Sequence, residues 1–304
     1  MPPQDADRPG PRKGAQVVTP ALLRGWPLPA PGDDKNDRGS VLVVGGAVRT
    51  PGAVLLAGLA ALRAGAGKLQ MAVAEPAAMP LAVAAPEALV APLPFDPATG
   101  SVEAAAADAV RDLAKSADVV CIGPGLDDAE RSGALVAGLL EGFEGDARVV
   151  LDAYALGALH DHPELGRSLP GRIVVTPNTQ EAGILLDGDT PGTDEVEDAA
   201  LEIARRYQVV VALRSAVADP QGQVWAGGSG QAGLGTSGSG DVLAGIVAGL
   251  LARGAEPAQA AIWGAYVHAT AGERLAARVG PLGYLARELL DEAPAVLTEL
   301  SVQY

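Results

Sequence analysis

The 304-residue chain holds one cysteine, and aromatic residues make up only 3% of it. A lone cysteine excludes an intrachain disulfide framework. Cys121 stands in the apolar run Val119-Val120-Cys121-Ile122 and reads as a core residue. With so few rings, a stacking platform for single-stranded nucleic acid has little to draw on. Positive charge is also scarce. The formal net charge is −15, which argues against a general polyanion-binding surface. A phosphorylated small molecule would have to be held by backbone dipoles and a few local cations. No uninterrupted apolar span reaches membrane length, and no signal-peptide pattern follows Met1. A cytoplasmic protein with neither membrane nor nucleic-acid partner is expected. Aliphatic residues are abundant: 48% of the chain is hydrophobic, enough for a sizeable core of Val, Leu, Ile and Ala.

The densest local signal is Gly233-Leu234-Gly235-Thr236-Ser237-Gly238-Ser239-Gly240-Asp241-Val242-Leu243-Ala244-Gly245, with five glycines in thirteen residues. Val242, Leu243, Ile246, Val247, Leu250 and Leu251 then recur at helical spacing. A glycine loop thus runs into a helix N-terminus, where unpaired N–H groups and a partial positive charge can hold a phosphate. Asp241 falls in the first turn. It either caps the helix or serves as a base for a hydroxyl about to meet that phosphate. A phosphate site is the preferred reading over a tight helix-packing turn. The dinucleotide fingerprint G-x-G-x-x-G fits Gly233–Gly238 in letters but lacks its strand–helix–strand context. A Walker loop needs a lysine after its last glycine, and no lysine follows Lys115.

Elsewhere, apolar β-branched runs alternate with Ala- and Leu-rich helical patterns. Strands are expected at 40–44, 68–74, 118–122, 148–151, 172–175 and 208–213, and a hairpin at 216–218 and 223–225. Helices are expected at 51–64, 103–114, 131–140, 154–159 and 196–207, with the region after Asp241 essentially helical. Residues 75–100 resist assignment. Residues 1–15 read as a disordered tail ahead of one domain, 16–304, in which 16–35 form an irregular arm lying on the domain or against a partner subunit. Such alternation predicts a parallel sheet covered by helices on both faces. Ligands bind such sheets beyond the C-terminal strand ends. There the chain places Gly45-Gly46, Gly123-Pro124-Gly125, Asp152, Asn178 to Glu181, and Arg214-Ser215.

Each of these groups has two readings. Asn178 and Glu181, three apart, suit either a reciprocal helix cap or a water-coordinated divalent cation near phosphates. Gly123-Pro124-Gly125 is a substrate approach or a plain turn. Asp152 is a cleft residue or a cap, the cap being preferred. Arg214 pairs with a phosphate or sits free in a loop. His160 and His162 are expected in solvent, and His268 as a hydrogen-bonded packing residue. No spacing argues for zinc, and no nucleophile–base pattern appears.

The stretch 235–245 closely resembles the signature of the ADP/ATP-dependent NAD(P)H-hydrate dehydratases, which are ribokinase-like proteins. Five further segments match in order: 35–46, Pro51-Gly52-Ala53, Ala64-Gly65-Ala66-Gly67, Ile122 through Leu126, and Leu151-Asp152-Ala153. His268 has a counterpart too, and the resemblance covers roughly residues 16–300. It implies a ribokinase-like three-layer α/β/α fold with a mostly parallel central sheet. It implies an ADP- or ATP-dependent dehydration of the S epimer of hydrated NAD(P)H (NADHX or NADPHX), a metabolite-repair reaction in which the ring hydroxyl is phosphorylated and phosphate is then eliminated. Asp241 would be the catalytic base. Ala53, Gly125, Asn178 and Asp241 would contact the substrate. Arg214, Ser215, Ala216, Val217, Ala218, Gly238 and Gly240 would contact the nucleotide. Mg²⁺ would be held at Glu181 through water. A homo-oligomer, a tetramer, is implied, with the NAD(P)H-hydrate epimerase as a separate protein. The chain departs from the family pattern in Thr176-Pro177-Asn178, where His is usual, and in Arg214-Ser215, where Lys-Gly is usual. Asn178 with Glu181 is also what ribokinase-like small-molecule kinases carry. A kinase that phosphorylates an alcohol is therefore the alternative enzyme, and a nucleotide-sensing or scaffold protein the non-enzymatic one.

Overall fold

The run Val41-Leu42-Val43-Val44 has no exposed surface. Val41 and Val43 enter one core, and Leu42 and Val44 enter another. A strand can do this only where helices cover both faces of its sheet. The computed structural model describes residues 14–141, 143, 146–227 and 232–301. The rest of the expected tail, residues 1–13, lies outside the described residues.

In chain order the elements are β1 (Gln16–Val17), α1 (Pro20–Gly25), β2 (Ser40–Val44), α2 (Pro51–Arg63), β3 (Lys68–Ala74), α3 (Glu75–Ala84), β4 (Ala88–Leu93), α4 (Ala106–Ser116), β5 (Val119–Ile122), α5 (Ala129–Leu140), β6 (Arg148–Leu151), α6 (Gly157–Asp161), α7 (Glu164–Ser168), β7 (Ile173–Val175), α8 (Thr179–Leu185), α9 (Val196–Tyr207), β8 (Val210–Leu213), β9 (Ala216–Ala218), β10 (Val224–Ala226), α10 (Ser239–Ala252), α11 (Pro257–Val279) and α12 (Leu289–Ser301). The strands form one sheet in the order β1-β10-β9-β8-β7-β6-β5-β2-β3-β4. Only the pairings of β9 are antiparallel. Helices α1 to α3 and α10 to α12 cover one face, and α4 to α9 the other. The three-layer, mostly parallel architecture expected from the sequence is therefore the one observed.

The chain leaves β2 in one direction, through β3 to β4, and returns to its other side as β5. The β2–β5 boundary is thus the point where strand order reverses, and in sheets of this kind the ligand crevice lies there, beyond the carboxyl ends of the strands. Register keeps those ends level: Val44 pairs with Ile122, Ile122 with Leu151, and Leu151 with Val175.

Two segments differ from the sequence reading. The 75–100 stretch contains α3 and β4. Its Ala and Pro content masks both: Pro sits in the first turn of α3 and again inside it. The 16–35 arm is not wholly irregular. Thr19 caps α1, and β1 extends the sheet by pairing with β10. The arm is fixed to the chain itself. Gln259 donates to the Trp26 and Pro27 carbonyls, at 3.1 and 2.9 Å, and Trp263 Nε1 donates to Trp26 at 3.1 Å. The Trp26 ring lies 6.3 Å from that of Trp225. Cys121 is buried, as expected. Among the described residues no helix is long and apolar enough to cross a membrane.

Helix α10 lies against α2 almost backbone to backbone. A Cβ on Gly245 would sit 2.1 Å from the Ala57 carbonyl oxygen, and one on Gly249 would sit 2.3 Å from that of Ala61. Four residues apart, the two glycines share a face and set the separation of the helices. Gly245→Ala should therefore lower stability by about 1–3 kcal/mol in urea unfolding. Gly157→Ala, where an added Cβ meets nothing within 4 Å, should leave the midpoint unchanged or slightly raised.

Candidate active site

Loops after β2 and β5 are tied together at this switch point. Gly46 N–H donates to the Pro124 carbonyl and Ala47 N–H to that of Gly125, both at 2.8 Å. Thr50 Oγ1 adds a 2.6 Å bond to the Gly125 carbonyl. Gly125 has φ +73°, and a Cβ there would lie 2.3 Å from the Thr50 carbonyl oxygen and 3.1 Å from the Ala53 side chain. Only glycine fits such a turn. Two of the expected substrate positions, Ala53 and Gly125, are thus brought together. The turn reading of Gly123-Pro124-Gly125 is realised as well, leading to α5 with Asp128 as its cap.

Asp152 follows β6 and is 5% exposed. Its carboxylate does not cap the turn that follows. Instead its Oδ1 accepts a 2.8 Å bond from Thr176 Oγ1 at the end of β7. The preferred capping reading is corrected here: with β6 and β7 level, the side chain has a buried hydroxyl donor across the ladder. Burial, the Asp241 charge and, more weakly, the Glu181 charge push the Asp152 pKa up to about 7. The next residue, Ala153, has φ +51°, a left-handed backbone that L-alanine adopts at a cost of about 1–2 kcal/mol.

Asn178 and Glu181 form a complete capping box on α8. Asn178 accepts from Glu181 N–H at 2.9 Å, and Glu181 Oε2 accepts from Asn178 N–H at 2.8 Å. The cap is realised, and among the described residues nothing bonds to Glu181 Oε1. Glu181 is itself partly buried, and burial raises its pKa.

Asp241 lies in the first turn of α10 and makes no cap bond. Gly238, at φ +88°, precedes the helix. Among the described residues, the N–H groups of Gly240 and Asp241 donate to no acceptor, so they remain open donors. Burial, then the Glu181 charge, push the Asp241 pKa up to about 6. The loop abuts α2, for a Cβ on Gly238 would meet Leu56 at 2.6 Å, one turn along from Ala53. Asp152, Glu181 and Asp241 therefore face one another electrostatically at one end of the sheet. Among the described residues no cluster of three His, Cys, Asp or Glu is arranged to enclose a metal.

The expected nucleotide segment divides. Ala216, Val217 and Ala218 form β9, buried and paired on both sides. Their side chains fill the cores. Arg214, at φ +53°, is exposed at the β8–β9 turn with Ser215 beside it. The Ser215 carbonyl accepts from Gly227 N–H. His160 is half-buried and His162 exposed, so both reach solvent as expected, and each has an acidic neighbour: His160 lies 2.7 Å from Asp187 and His162 lies 3.3 Å from Glu164. His268 is buried and hydrogen-bonded to Ser239, as expected. Sequence reasoning passed over Thr50 and Thr176. Each stands next to a residue it did flag, which is the signal that could have found them.

A model of the family described as NAD(P)H-hydrate dehydratase matches residues 41–295. The chain belongs to that family. It is 46% identical to the ADP-dependent (S)-NAD(P)H-hydrate dehydratase of Xanthomonas campestris pv. campestris, over 96% of this chain and 98% of that one. Curated relatives named bifunctional NAD(P)H-hydrate repair enzymes match at 39% and 35% identity, and the chain spans only about half of their length. Among solved structures, the ADP/ATP-dependent NAD(P)H-hydrate dehydratase of Bacillus subtilis, co-crystallised with ATP/Mg²⁺, is similar with a TM-score of 0.77 at 25% identity, covering 95% of this chain and 100% of that one. A ribokinase-like superfamily protein of Enterococcus faecalis has a TM-score of 0.77 at 22% identity, covering 97% and 99%. The fold of this family is thus ribokinase-like.

Asp152 offers a test of the electrostatics. Its folded pKa of about 7 stands above the unfolded carboxylate value near 4. The ionised form is thus disfavoured by folding, and the stability the group contributes below the unfolded value is lost as pH rises to 7. Asp152→Asn keeps an acceptor for Thr176 and removes the charge. Without divalent cations it should raise the melting temperature at pH 8 by about 2–4 °C, the shift of a ~1 kcal/mol change, and the gain should shrink toward pH 5.

Proposed function

We propose that this chain removes the added water from the S epimer of hydrated NAD(P)H, consuming the terminal phosphate of ADP or ATP. The observation that carries the reading is Asp241. It is a partly buried carboxylate with its pKa raised to about 6, set in a helix turn with two open N–H groups. A base titrating just below neutrality is ionised at pH 7 and still able to hold a proton in the transition state.

In the proposed reaction Asp241 takes the proton of the ring hydroxyl as its oxygen attacks the terminal phosphorus. The bond from phosphorus to the bridging oxygen breaks, releasing AMP from ADP or ADP from ATP. The Gly240 and Asp241 N–H groups stabilise charge on the transferring phosphoryl group. Hydroxide is a poor leaving group, and the phosphate ester is a good one. The ring nitrogen lone pair expels it, and loss of a proton from the adjacent ring carbon restores the double bond. Ala53 and Gly125 form the wall against the ring, with Asn178 across the crevice. Arg214 and Ser215 approach the nucleotide from the β8–β9 turn, and the ordering of Gly238 and Gly240 brings the backbone to its phosphates. Ala216 to Ala218 act by holding that turn.

Glu181, whose Oε2 alone is used in the capping box, would hold a divalent cation through water, as Mg²⁺ prefers near phosphates. Bound there, Mg²⁺ would neutralise phosphate charge. A homo-oligomer, a cytoplasmic location and an NAD(P)H-hydrate epimerase as functional partner complete the proposal.

The deciding assay supplies hydrated cofactor, Mg²⁺ and ADP or ATP, and follows absorbance in the reduced-nicotinamide band. Recovery with release of inorganic phosphate is expected. A stable phosphorylated alcohol would establish the kinase instead. Asp241→Asn should lower turnover by about 10²–10⁴-fold while ADP still binds. Wild-type kcat/KM should fall below pH 6 along a one-proton limb, because protonated Asp241 cannot accept the hydroxyl proton. Turnover unchanged in Asp241→Asn would remove the residue from the mechanism.

A further inference from the structure

We propose that His268 is a positioning residue that fixes the first turn of α10 from the neighbouring helix α11, and so aims the Asp241 carboxylate and the Gly240 and Asp241 N–H groups into the crevice. The inference rests on the dehydratase reading of Asp241 and assigns a role to a residue outside the reacting set. His268 Nε2 lies 2.9 Å from Ser239 Oγ and 3.0 Å from the Ser239 carbonyl oxygen. A carbonyl oxygen only accepts, so Nε2 carries the proton and Nδ1 is bare in the neutral ring. His268 is 8% exposed, and burial pushes its pKa down to about 4. The neutral ring, and with it the donor, therefore persists throughout the neutral range.

Ser239 needs such a hold. It is the first residue of α10, two before Asp241, and follows a glycine that supplies no side-chain cap. A glycine-flanked, uncapped helix start loses more backbone entropy on ordering than most and frays readily. His268 supplies from outside the restraint that a capping side chain would give. The far end of the loop is gripped by the same helix. Gly272 lies one turn beyond His268 on the same face. A Cβ on Gly272 would sit 2.7 Å from Leu234 Cδ2 and 3.0 Å from Tyr284 Oη, so Leu234 is packed into the space glycine leaves. Residues 235–238, between these two grips, are exposed or half-exposed, and form the part of the loop free to meet a ligand.

Glutamine, asparagine and leucine at position 268 separate donation from bulk. The Gln amide nitrogen reaches the place of Nε2, the Asn amide falls short, and Leu fills space without a donor. His268→Asn and His268→Leu should lower kcat by about 10- to 100-fold and raise the KM for ADP, as misplacement of about 1 Å does. His268→Gln should recover to within about threefold of wild type, since it restores the hydrogen bond. Imidazole ¹⁵N resonances should show Nε2 protonated and Nδ1 bare, in wild type and equally in inactive Asp241→Asn. Gln and Asn variants equally impaired, a Leu variant with wild-type kcat and KM, or a ring protonated at Nδ1 would each overturn the assignment. Should the Leu variant not fold, the comparison of Gln with Asn decides alone. A fully active Asp241→Asn with an unchanged tautomer would instead remove the catalytic reading and leave the anchor standing.

Discussion

Three acids gathered at one end of a sheet, with no basic side chain bonded to them among the described residues, are the constraint around which this molecule is arranged. Burial raises the proton affinity of Asp152, Glu181 and Asp241 alike; the Glu181 charge adds to it at Asp241, and the Asp241 and Glu181 charges add to it at Asp152. Ionising all three in a site of low dielectric is costly. Part of that cost is offset locally: Thr176 and the Asn178 N–H each donate one hydrogen bond. The strand register beneath holds the ends of β6 and β7 level, and with them Asp152 and Thr176. What is unfavourable for folding is useful for chemistry, since a carboxylate of ordinary acidity would be a weak base near neutrality.

Packing and site are joined through α10. The helix brings its N-terminus to the switch point only because two glycines let it lie against α2 at backbone distance. A wider separation would carry the open N–H groups away from the loops after β2 and β5. The close helix pair therefore serves stability and geometry together. Gly245, the seventh residue of the helix, decides where a phosphate can be met at its end.

Much of this was legible in the chain before any coordinates. The β-branched runs at 40–44 and 148–151 and the amphipathic 196–207 helix gave strands and a helix with the same bounds as the structure, because local pattern and tertiary burial agree there. Residues 75–100 resisted for the opposite reason: three prolines and many alanines give α3 and β4 no periodicity to read. At the site, the motif at 235–245 located Asp241 and the open amides. The capping box at Asn178 and Glu181 was one of two even alternatives, and spacing cannot distinguish a cap from a ligand set. The Asp152–Thr176 bond joins residues 24 apart and follows from strand register, which no single stretch of sequence expresses. The grip of His268 on Ser239 joins residues 29 apart and depends on how α11 crosses α10.

The three tryptophans of the chain are Trp26, Trp225 and Trp263, and all meet at the corner where the N-terminal arm is tied down. Intrinsic emission from this protein is thus a local gauge of that corner, where Trp225 of β10 also pairs with Val217 of β9. A change in fluorescence would record the arm lifting from β10 and α11.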